Sequence, residues 1–118
     1  MADWIYNKNG RATIILDNDC FRSNRGQVIG WINNNNVYSI NGFHLGWFED
    51  GVLYDSRNQA LGFIRDANGY LPSRPGISGT PGMPGFSGRP GRSGLSGTPG
   101  KPGRGGWSSY NLETYLTT

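Results

Sequence analysis

The chain has 118 residues, with 20 glycines, 7 prolines, one cysteine, one histidine and a formal net charge of +3. One cysteine excludes an intrachain disulfide, and a single histidine with no second thiol gives no Cys/His cluster for a metal. No apolar stretch is long enough to span a membrane as a helix, and Met-Ala-Asp-Trp lacks the basic and apolar regions of a leader.

Residues 1–70 hold most of the Ile, Val, Leu, Tyr and Trp, and only this part can build a conventional core. It carries six Lys/Arg against seven acids, whereas residues 71–118 carry five (Arg74, Arg89, Arg92, Lys101, Arg104) against Glu113 alone. The basic pI is thus a property of the second part, and its charges are too sparse to favour nucleic acid as a partner.

Within residues 1–70 the columns repeat every sixteen residues. One column reads Tyr6, Arg22, Tyr38, Tyr54, Tyr70 and the one before it Ile5, Phe21, Val37, Leu53. Four residues after the tyrosine column come Gly10, Gly26, Gly42, Asn58, and eight after it Ile14, Gly30, Gly46, Gly62. Trp31, Trp47 and Phe63 follow, after Ile15 in the first unit. Each unit predicts a β-hairpin with its tight turn at Asn9-Gly10, Arg25-Gly26, Asn41-Gly42 or Arg57-Asn58, of the type that needs positive φ at both central residues. Asx-rich segments (Asp17–Asp19, Asn33–Asn36, Glu49–Gly51, Asp66–Asn68) link the units. Eight short strands follow, all-β, in a closed or radial arrangement, because Val28–Ile32 is apolar on both faces. Gly30, Gly46 and Gly62 predict close approach of a neighbouring hairpin. Tyr70 begins a fifth unit and is expected to close the ring against the first strand.

The Y-x-x-x-G-x-x-x-G-[WF]-[IF] pattern, as in Tyr38–Phe48, resembles the 4-fold beta flower family over residues 3–70. That resemblance implies four hairpins around a pseudo-fourfold axis and no established activity. Arg22 departs from the pattern where a tyrosine is expected, and Asn58 where a glycine is.

Residues 71–106 read as a collagen-like stalk. Gly76, Gly79, Gly82, Gly85, Gly88, Gly91, Gly94, Gly97, Gly100, Gly103 and Gly106 keep strict period three, and only glycine fits the axis of a triple helix. The expected state is a trimer with a stalk about 90 Å long. Its repeat cations would be crowded without acids to pair them, and bulky Ile77, Met83, Phe86 and Leu95 offer contacts for a larger assembly. A packed polyproline II strand is the second solution.

Residues 107–118 return to aromatic and apolar character. Trp107, Tyr110, Leu112, Tyr115 and Leu116 are assembly candidates, and Leu112, Tyr115 and Leu116 share a helical spacing. The segment reads as a clamp that registers chains, a docking peptide or a frayed tail. Tyr6, Tyr38, Tyr54, Trp31 and Trp47 are candidates for a ligand surface, against the reading that repeated aromatic columns form core. His44 and Cys20 read as packing residues. The acids at the linking turns form no calcium loop of the right spacing, so they read as turn chemistry.

No nucleophile–base pair, phosphate loop or cofactor motif is present, so the chain is expected not to be an enzyme and to need no cofactor. The expected function is a structural or adhesive fibre component, such as a phage tail fibre or surface filament, assembling with itself. It would be cytoplasmic as made, or part of a phage or extracellular fibre. The alternative is a soluble peptide- or glycan-binding module on a flexible basic tether.

Overall fold

A computed structural model describes residues 2–92 and 94–117. Eight strands follow one another: β1 (Ala2–Asn7), β2 (Ala12–Asp17), β3 (Cys20–Ser23), β4 (Val28–Asn33), β5 (Asn36–Ser39), β6 (His44–Glu49), β7 (Val52–Tyr54) and β8 (Ala60–Ile64). A single helical turn, α1 (Leu112–Tyr115), comes last. Each strand pairs antiparallel with the next, and β8 pairs with β1, so the sheet closes as a barrel without a free edge. The seam keeps the register of the covalent links: Ile5 faces Ile64 as Phe21 faces Leu16, Val37 faces Ile32 and Leu53 faces Phe48. Ring closure thus falls to β1; Tyr70 is exposed, and its carbonyl accepts a hydrogen bond from the Tyr54 hydroxyl.

The hairpin turns are one residue longer than expected. The Asn7 carbonyl accepts from the Gly10 amide and the Asn7 amide donates to Arg11 O, which encloses three loop residues, with positive φ only at Gly10. This is a type I turn followed by a left-handed residue, the next most common hairpin solution. Gly26, Gly42 and Asn58 repeat it. A side-chain acceptor three residues before that position ties each loop: the Asn7, Ser23 and Asp55 oxygens each accept two backbone amides, and Ser39 Oγ accepts from Phe43. The doubly left-handed turns lie in the links instead, at Asn34-Asn35 and Asp50-Gly51.

The Ile5, Phe21, Val37, Leu53 column fills the barrel. The glycine column is there for close approach: a Cβ on Gly46 would lie 2.0 Å from the Tyr54 carbonyl oxygen. One end of the barrel is stoppered by the C-terminal turn. Leu112 and Leu116 are each 1% exposed and belong to the same core cluster as Ile5, Phe21, Val37 and Leu53. The Tyr115 hydroxyl donates to Leu45 O and Asn7 Nδ2 donates to Glu113. The terminal segment, read from sequence as a clamp, a docking peptide or a frayed tail, packs Leu112 and Leu116 into this chain's own core. A hydrophobic core that ends at residue 70 is not what forms.

The Gly-X-Y segment does not project as a 90 Å rod. The molecule measures 37 × 36 × 21 Å with a radius of gyration of 13.2 Å, and the segment runs around the barrel as a belt. The amides of Ser78, Ser87 and Ser96 donate to the carbonyls of Gly10, Gly26 and Gly42. Nine belt residues thus pass for every sixteen barrel residues. An extended polyproline II strand leaves its amides unpaired, so exposed turn carbonyls are natural partners for it.

Candidate functional site

Among the described residues, polar groups gather at the belt–barrel contact and in a cleft at the seam. At the contact, belt cations meet barrel acids. Arg89 pairs with Asp17 and Asp19, and both Lys101 and Arg104 pair with Glu49. Hydrogen bonds from these cations hold the Asp19 and Glu49 carboxyls below their ordinary range. The Arg22 hydrogen bond does the same for Asp17, against the opposing effect of burial. Three of the five cations of residues 71–118 are thus paired with acids of the same chain's barrel.

Arg22, in the tyrosine column, is 4% exposed and makes three hydrogen bonds. Its Nε reaches Asp17 Oδ2 at 2.8 Å, and its Nη1 donates to Gly26 O at 2.7 Å and to Ser87 O at 2.8 Å. Asn58 likewise has a function that glycine lacks: its Nδ2 donates to Pro102 O and its Oδ1 accepts from Arg104 Nε.

The cleft, of about 310 Å³, opens where β8 meets β1. Asp3, Trp4 and Tyr6 of β1 line one side, and Ile64, Arg65 and Asp66 the other. Thr80 and Met83 of the belt cross its rim. Arg65 Nη2 lies 3.4 Å from the Tyr6 hydroxyl oxygen.

The five aromatic candidates for a ligand surface are buried, none more than 3% exposed: Tyr6, Tyr38, Tyr54, Trp31 and Trp47. Only Tyr6 among them borders the cleft. His44 packs edge-on to Tyr38 and Trp47 with Nε2 on Asn36 Oδ1, and burial lowers its pKa. Cys20 is wholly buried, and burial pushes its thiol pKa up. Among the described residues no group of three or more His, Cys, Asp or Glu gathers to hold a metal ion. Nor is any described helix long and apolar enough to cross a membrane.

A family model for 4-fold beta flower proteins matches residues 3–116. The chain belongs to that family. The match takes in the belt and the terminal turn, so the beta flower here is the whole chain and not the 3–70 portion that carries the tyrosine pattern. No curated protein and no solved structure matches the chain. In this beta flower the seam and belt residues were the harder ones to find from sequence. A second period was the available signal: Gly-Ile77-Ser, Gly-Phe86-Ser and Gly-Leu95-Ser recur at nine-residue steps within the glycine repeat.

Proposed function

We propose that this beta flower is a self-clasped, non-catalytic recognition module that presents a rigid, pseudo-fourfold surface to a peptide or glycan. The reading rests on one observation. The Gly-X-Y segment, which a fibre would need for assembly, is hydrogen-bonded to the chain's own hairpin turns at Gly10, Gly26 and Gly42. A tether would have no reason to keep that register. Sedimentation of the full chain tests it. A 12.9 kDa monomer supports the module, and a trimer or polymer overturns it.

A second reading, the collagen-like fibre, is favoured by the outer face of the belt. A Cβ added at Gly79, Gly82, Gly88, Gly91, Gly97 or Gly100 would meet nothing within 4 Å. The belted state therefore supplies no steric reason for glycine at these positions, whereas a triple helix does. In that reading the belt is released from the barrel to trimerise.

A further inference from the structure

We propose that the seam cleft is a binding site for a guanidinium group, such as an arginine side chain of a peptide partner; this deepens the recognition-module reading and rests on it. The argument comes from the repeat itself. Moving one unit forward takes sixteen residues in the barrel and nine in the belt. That step carries Asp3 to Asp19, Arg65 to Asp17 and Thr80 to Arg89. In unit 2 the corresponding place is occupied. The Arg89 guanidinium pairs with the Asp19 carboxylate, donates to the Asp17 main-chain oxygen at 3.0 Å and lies 3.5 Å from Asp17 Oδ2. The fold thus already holds a guanidinium in one copy of this site.

At the seam, threonine replaces that arginine and the space is a cleft of about 310 Å³. Asp3 stands at the position of Asp19 and lines the cleft. Asp66, just beyond Arg65, supplies a second carboxylate to the lining. Trp4 stands in the column of Cys20, which places an indole at the cleft where unit 2 has only a thiol. An aromatic wall beside carboxylates suits a planar cation better than a neutral or anionic ligand. Arg65 opposes this charge, and its guanidinium is turned toward the Tyr6 hydroxyl.

The test uses the full chain after its monomeric mass has been established, so that failure here is separable from failure of the module reading. N-acetyl-arginine amide is titrated in, with N-acetyl-citrulline amide as the neutral isostere, and the indole resonance of Trp4 is followed by NMR. The expected dissociation constant is on the order of 1 mM, the scale of a few exposed ion pairs. Citrulline should bind at least about tenfold more weakly. Asp3→Asn should weaken arginine binding by about fivefold, and Arg65→Asp, which restores the unit 2 residue, should tighten it by a similar factor. Thr80→Arg should abolish it, because the belt then fills the cleft as Arg89 does in unit 2. Thermal melting confirms that each variant is folded. Equal binding of citrulline, undiminished binding to folded Thr80→Arg, or no Trp4 shift in the monomer would each overturn the proposal.

Discussion

The guanidinium of Arg22 lies over the ring of Phe86, 4.5 Å from its centroid, and so joins barrel to belt. Two units on, the same contact is made with the partners exchanged: Arg104 of the belt lies over Tyr54 of the barrel at 3.8 Å. The cation that breaks the tyrosine column in one unit is matched by an aromatic in the belt, and the tyrosine kept in the other by a belt cation.

Arg22→Ala should destabilise the chain by about 3 kcal/mol, since it unpairs a nearly buried charge network and removes the stem packed on Phe86. Arg22→Tyr combined with Phe86→Arg rebuilds the unit 4 arrangement and should recover part of that loss. A double-mutant cycle from urea unfolding measures it, and purely additive effects would deny the exchange.

Belt and turn glycines should differ in their response to alanine. A Cβ on Gly26 would lie 2.1 Å from Gly85 O at a φ of +86°, so Gly26→Ala should cost at least about 1 kcal/mol and loosen the belt. Gly91→Ala meets open space and should change stability by less than about 1 kcal/mol in either direction. A large loss of stability or mass on Gly91→Ala would instead place the chain in a triple helix.

Leu112→Ala should cost about 2–5 kcal/mol, as for other leucines truncated in a closed core. A fragment ending at residue 70 lacks this stopper altogether. Near-UV circular dichroism of that fragment should show loss of fixed aromatic packing, and a native spectrum would contradict the completed-core view.

Acid should weaken the fold in two steps. His44 is held below its ordinary value of 6.5 by burial. The unfolded chain therefore binds the proton first, and stability falls as pH drops below about 6.5. Asp17, Asp19 and Glu49 are held below 3.8, 3.8 and 4.5 by their belt or barrel cations. Their contribution is present above those values and is lost as pH falls through the lower folded-state values. Melting temperature against pH should show both steps, with the lower one shrinking in 1 M salt as exposed pairs are screened. His44→Gln should remove the upper step.

Cys20 should resist thiol reagents in the native chain, because it is wholly buried and its thiolate is disfavoured. Labelling should proceed only at the rate of unfolding. Fast labelling without denaturant would show that β3 opens locally.

The sixteen-residue columns alone determined eight strands and the tight Gly30/Gly46/Gly62 contacts, because alternation and glycine placement are local consequences of strand geometry, whereas the inward setting of the Ile5, Phe21, Val37, Leu53 column came from the closed fold. Turn type was only half legible. Gly10 marks a left-handed residue, but whether two or three residues form the loop depends on strand register and on Asn7 as acceptor. What Tyr70, Leu112 and the glycine repeat do was decided by tertiary structure. Gly-X-Y favours an extended polyproline II-like chain, but does not say whether its unpaired amides are met by two other chains, by water or by the carbonyls of this chain's own turns. Those carbonyls are brought together by the closed barrel, through contacts between residues far apart in sequence, so the nine-residue period marks a packing register without naming the surface it packs on.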